Sequence, residues 1–187
     1  NHWLRVLYGA AGVQNNPLLV ERLLKAGADP DDNESLYHSA EHRDHDCLKL
    51  LLRAGARTRD TNALLRMLDY EDLEGVRILL EHGADPNERD ALNHAVIRGR
   101  SKEIVNELLA HGADATRSMA KRSAAERGRD DLLEVLAPGE DLPAPSDLGI
   151  YLGDACSVGD IHRVKRALAL GASPDLRDYP PSASHRP

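Results

Sequence analysis

The sequence predicts an all-α solenoid of about six helix-turn-helix units, and three observations carry that prediction. A glycine-centred string returns at near-constant spacing, a leucine-rich helical run precedes each return, and the apolar residues are nearly all aliphatic. The returning strings are AGADP, AGAR, HGADPN, HGAD, the degenerate APGEDLP, and LGASPD; their glycines, Gly27, Gly55, Gly83, Gly112, Gly139 and Gly171, stand 28, 28, 29, 27 and 32 residues apart. Self-similarity at a fixed period of this length marks a repeat architecture. The 187 residues include 29 Leu and 24 Ala but a single Trp and no Phe. Such a composition suits helices that approach closely and gives little material for a deep aromatic pocket.

Each unit can be justified in chain order. Upstream of the glycines lie VERLLKAG, CLKLLLRAG, VRILLEHG, IVNELLAHG, LLEVLAPG and VKRALALG. Apolar residues at i, i+3, i+4 and i+7 draw one stripe on a helix, and glycine ends it because it accepts the left-handed backbone of a helix C-terminus. A shorter helical segment precedes each run, as in Leu36 to His45, Leu92 to Arg100, Ser123 to Arg129 and Leu152 to Asp160. The small residues Ala40, Ala95, Ala124 and Ala155 near their middles allow close approach to the neighbouring unit. The repeats end near residues 30, 58, 87, 115, 143 and 175, so a single array is expected over 1–178. The proline-rich stretch 138–147 is a candidate bend, and 179–187 reads as a Pro/Ser-rich tail. The last helix pair, with Arg163, Lys165 and Arg166, is expected to supply the polar outer face that a terminal repeat needs.

These segments resemble the ankyrin repeat family, whose pattern reads TPLHxAAxxGHxxxVxxLLxxGADxN. LYHSAEHRDHDCLKLLLRAGA and ALNHAVIRGRSKEIVNELLAHGADA follow it almost position by position, and the resemblance covers about 175 residues. It implies a right-handed curved stack that binds a protein partner on its concave helix and loop face. His38 and His45 match the family's two histidines, where the ring serves structure; Asp44, Glu71, Gly99, Gly128 and Gly159 stand at its turn glycine. One departure bears on the architecture. From a terminal glycine to the next small helix residue the family takes about 17 residues, whereas here the first four intervals are 13, 12, 12 and 12, and only the last reaches 16. The missing residues come out of the loop, so the β-hairpin fingers are expected to be truncated and the groove shallow.

Several chemistries are excluded or disfavoured. His38, His42 and His45 alternate with Glu41, Asp44 and Asp46, and i,i+4 histidines can ligate a metal. Two of the three already fill structural positions, and His42 falls at an exposed one, so no metal is expected. The acidic run Asp29 to Glu34 is no calcium loop, because Glu34 stands where the sharp-turn glycine belongs and Ala40 replaces the bidentate glutamate. The Asn33-Glu34-Ser35 sequon reads as coincidence. No nucleotide-binding loop, zinc-protease or serine-hydrolase motif, or CxxC pair occurs, and neither enzymatic activity nor a cofactor is expected. Cys47 and Cys156 read as buried thiols in a reducing compartment.

The net charge of −7 argues against nucleic acid, which needs excess Lys and Arg. No apolar run is long enough for a membrane span. A cytoplasmic monomer is expected, from a GC-rich and bacterial source; the absence of an opening Met points to a fragment or processed product. Charge is uneven along the chain: 29–46 and 69–90 each carry −6, while 98–129 carries +4. In a quasi-linear stack this becomes a bipolar surface.

The family's variable positions give the candidate partner-binding residues. They are Asn33, Glu34, His42 and Arg43; Thr61, Asn62, Asp69 and Tyr70; Arg89, Asp90, Ile97 and Arg98; and Glu126 and Arg127. Tyr70 and Arg98 are the expected anchors, since Tyr and Arg dominate binding hot spots. The leading reading is a non-enzymatic protein interaction module. The alternatives are a dedicated inhibitor or immunity protein that blocks one enzyme with its acidic repeats, and a regulatory domain of a longer chain.

Overall fold

A computed structural model describes residues 5–32, 34–136, 148–169 and 171–175. The chain divides into two compact units, Asn1–Ala120 and Lys121–Pro187. In the first, α1 (Val6–Tyr8) runs into a π-turn at Gly9–Val13 and is followed by α2 (Pro17–Lys25). Three further pairs are α3 (Ser35–Ser39) with α4 (Asp46–Arg53), α5 (Ala63–Asp69) with α6 (Leu73–Glu81), and α7 (Ala91–Ile97) with α8 (Lys102–Ala110). The unit boundary falls at the first residue of α9 (Ala120–Glu126), and the second unit continues with α10 (Asp130–Leu136), α11 (Leu148–Ser157) and α12 (Ile161–Ala169). Among the described residues there is no strand. This is the all-α repeat fold the spacing predicts.

The glycine strings stop the helices in one recurrent way. Gly27, Gly55, Gly83, Gly112 and Gly171 have φ between +84° and +96°. The following alanine N–H then reaches back five residues, as from Ala56 to the Leu51 carbonyl and from Ala84 to the Leu79 carbonyl, each at 3.0 Å. This satisfies a helix-end carbonyl that would otherwise lack a partner. At the other ends, Asn16, Asp72, Asp90 and Ser101 cap α2, α6, α7 and α8 with side-chain oxygens.

In the first unit the short helices pack in one row, with the π-turn against α3, α3 against α5, and α5 against α7. The leucine-rich helices form the second row, with α2 on α4 and α6 on α8. Leu48, Leu51, Val76, Leu79, Ile104, Val105 and Leu108 are fully buried, each stabilising the unit by about 1.5–3 kcal/mol. Ala40 and Ala95 fill the close contacts. Where α7 has Ala95, α5 has Met67, and Gly75 of α6 makes room: a Cβ at Gly75 would run into the Met67 sulfur. In the second unit, Leu148, Leu152, Ala167 and Ala172 form a core between α11 and α12, edged by Tyr151 and Val164.

The inter-repeat connections 28–34, 56–62, 84–90 and 113–119 lack hairpin fingers, save that Asn33 is not described. Left-handed residues turn the chain instead: Asp60, Asn62, Arg89 and Asp90 all have φ between +51° and +63°. Asn and Asp enter that region more readily than most side chains; Arg does not. Side chains then tie each loop to the next. Asp31 accepts from the Arg57 N–H at 3.3 Å, and Glu88 from the Asp60 N–H at 2.9 Å. Asn87 accepts from the Asp114 N–H at 2.7 Å while donating to the Gly112 carbonyl at 3.0 Å. Asp90 accepts from the Ser118 hydroxyl at 2.6 Å and the Met119 N–H at 3.1 Å.

Some expectations need correction. Cys47 is buried, its thiol pushed up to about 11 by burial and by Asp44 and Asp46, but Cys156 is exposed on α11, outside the apolar stripe. α3 ends at Ser39 rather than continuing towards His45, and the longer turn that follows leaves Asp44 without the left-handed backbone that Glu71, Gly99, Gly128 and Gly159 adopt. His42 is half-buried, because its Nε2 reaches the Gly12 carbonyl at 2.8 Å. The proposed bend at 138–147 and the tail lie outside the described residues.

Candidate protein-binding face

The row α3, α5, α7 brings polar side chains from three successive repeats side by side. Just after α3, Glu41 accepts from Arg66 Nε of α5 at 3.0 Å and lies 3.0 Å from His38 Nδ1. Partial burial raises the Glu41 pKa, but the hydrogen bonds of His38 and Arg66 outweigh it and leave the carboxyl below its ordinary value. Arg66 is raised in turn, chiefly by its hydrogen bond to Glu41. Its guanidinium lies 5.1 Å from the Tyr70 ring centroid and 5.6 Å from that of Tyr37, so one cation is flanked by two aromatic rings. One turn along α5, Asp69 meets His94 Nε2 and Arg98 Nε of α7, both at 2.9 Å, with Arg66 Nη1 at 3.7 Å. A connected charge network therefore crosses all three helices. Beside it lies an open depression of about 230 Å³ lined by Tyr37, Asn62, Arg66, Asp69, Arg89 and His94.

The predicted residues fall unevenly on this ground. Asn62, Asp69, Tyr70, Arg89 and Arg98 gather around the depression and its network. Ile97 is exposed at the end of α7. Glu34 lies 3.3 Å from His38, and Arg43 is exposed after α3. Thr61 is occupied locally, donating to the Thr58 carbonyl at 2.7 Å, and Asp90 is committed to the loop bridge already described. Asn33 and the side chain of Glu126 lie outside the described residues; Arg127 is exposed in the second unit. Sequence reasoning missed Tyr37, Glu41, Arg66 and His94. A signal existed: Glu41 to Arg66 and Asp69 to His94 are complementary pairs at the same separation of 25 residues.

The three clustered histidines serve separate partners: His38 the carboxylates beside it, His42 the Gly12 carbonyl, and His45 the Asp72 carboxylate at 3.3 Å. No group of three His, Cys, Asp or Glu side chains among the described residues is placed to hold a metal. No helix among them is long and apolar enough to cross a membrane.

A family model for ankyrin repeats, in three copies, matches residues 7–90. Among solved structures, the chain is similar to the ankyrin repeat domain of Bcl-3, described as a unique member of the IkappaB protein family. The two share 30% identity at a TM-score of 0.62, over 73% of this chain and 70% of that one. The chain belongs to the ankyrin repeat family. No curated protein matches it. Ankyrin repeats are generic protein–protein interaction modules, and in this ankyrin chain the face of α3, α5 and α7 carries exposed aromatic, aliphatic and guanidinium groups.

Proposed function

We propose that this ankyrin chain is a non-enzymatic, monomeric, cytoplasmic interaction module. It docks a protein partner on the short-helix face of α3, α5 and α7, which the family resemblance equates with the concave side. The observation that carries the reading is the exposure of Tyr70, Ile97 and Arg98 on a network that holds their neighbours in place. Tyr and Arg in this setting are the residue types that concentrate binding energy, and a fixed surround lowers the cost of ordering them. The reading requires no cofactor.

The double substitution Tyr70→Ala and Arg98→Ala tests it. Proteins captured from a native lysate by the unaltered chain should be lost from the double variant and kept by a control, Arg53→Ala, on the exposed side of α4. Capture that survives the double substitution would remove these anchors and the face with them.

A further inference from the structure

The chemistry of the partner can be read from which groups on this face are already satisfied; the inference deepens the proposed function and rests on it. Besides Glu34 beside His38, Glu71 on the Ser101 N–H and Asp85 on the Asn87 N–H, the face and its flanking loop hold four more carboxylates. Glu41 is taken by Arg66 and His38, and Asp69 by His94, Arg98 and, more loosely, Arg66. Asp90 accepts from Ser118 and from the Met119 and Asn93 N–H groups, and Glu88 from the Asp60 N–H. Each of these carboxylates has a partner within the fold.

The cations differ. Arg98 uses Nε on Asp69 and is 54% exposed; Arg89 is 52% exposed, its nearest carboxylate, Glu88, 3.8 Å from its Nε. Among the described residues no hydrogen bond engages the terminal guanidinium nitrogens of either. Arg89 also holds a left-handed backbone, φ +51°, and projects beside the depression. The same face shows two large apolar groups, Tyr70 at 41% exposure and Ile97, next to Arg98 in the chain, at 43%. Outward-facing capacity is thus two forked donors and two apolar groups, although the chain as a whole carries −7. A guanidinium fork matches a carboxylate in two parallel bonds.

We infer that the occupant is a protein segment presenting carboxylates close to an apolar side chain, with the carboxylates on Arg89 and Arg98 and the apolar group on Tyr70 and Ile97. Net charge points the other way, towards a basic partner. The satisfied state of the carboxylates is what decides between them.

The test reads the labelled full chain on an array of random twelve-residue peptides. Retained peptides should be enriched in Asp or Glu close to Leu, Ile or Phe. Arg89→Gln and Arg98→Gln, each checked for an unchanged melting temperature, should weaken them by about tenfold apiece, and Arg53→Gln should leave them unaffected. Enrichment in Lys or Arg overturns the inference; if those basic peptides are lost on Tyr70→Ala, the face survives and only its chemistry fails. Acidic peptides indifferent to Tyr70→Ala and to both arginine variants overturn the face as well. An array that retains nothing, or a dimer by sedimentation that Arg98→Gln abolishes, overturns a linear acidic segment as the occupant.

Discussion

Met67 and Gly75 show how closely the residues of neighbouring helices depend on one another. Eight residues before the terminal glycine, α4 has Cys47 and α8 has Ile104, both buried, whereas α6 has Gly75. The vacancy is filled from α5 by Met67, which stands where α3 has Ser39 and α7 has Ala95. Volume has been exchanged across the contact rather than lost. Gly75→Ala should therefore destabilise the chain by about 1–3 kcal/mol, despite alanine's better helix propensity, because the added carbon meets the Met67 sulfur. Adding Met67→Ala should recover most of the loss. Thermal or urea melting of the two single variants and the double variant measures the coupling, and additive effects would show that the exchange is not what holds this interface.

At the scale of elements, the connections do what hairpin fingers do in longer repeats, with fewer residues. Asn87 joins two loops through both ends of its amide, and Asp90 joins two loops while capping α7. Asn87→Ala should cost about 1 kcal/mol. Asp90→Ala should cost more, about 2–3 kcal/mol, since it also removes a cap and leaves alanine at φ +53°. Chemical denaturation should rank them in that order. The shortness of these loops was legible in the glycine intervals, because a fixed number of residues bounds what a connection can be. The bridges were not legible, because Asp31, Asn87 and Asp90 reach residues 25 to 29 positions away only once the left-handed turns have aimed them. The sequence shows Asp and Asn in those loops without showing which backbone group each will meet.

Over the whole molecule, the helix rows follow from periodicity, since a leucine stripe can be buried in only one direction. The candidate face was legible in part: the family pattern pointed to Tyr70 and Arg98, but not to the network joining Glu41, Arg66, Asp69 and His94. Cys156 and His42 went against expectation for related reasons, one lying off the apolar stripe and the other finding a carbonyl in the preceding repeat. Many of the acids are fasteners within the fold. The carboxyl of Asp29 is held below its ordinary value by the Asp31 N–H and Arg5, that of Asp114 by Thr116, and that of Glu41 by His38 and Arg66 against its burial. A depressed folded-state value contributes stability that is complete above the unfolded value, about 4, and is lost as pH falls through the folded one. The melting temperature should thus drop on acidification below about pH 4. Glu41→Gln should be less stable near neutrality and lose less on acidification; an identical acid profile would remove Glu41 from the set. The bridged loops have a further consequence. A face whose turns are tied side chain to backbone retains little conformational entropy for a partner to remove, so docking should resemble the closing of a preformed lock rather than the folding of a loop around its guest.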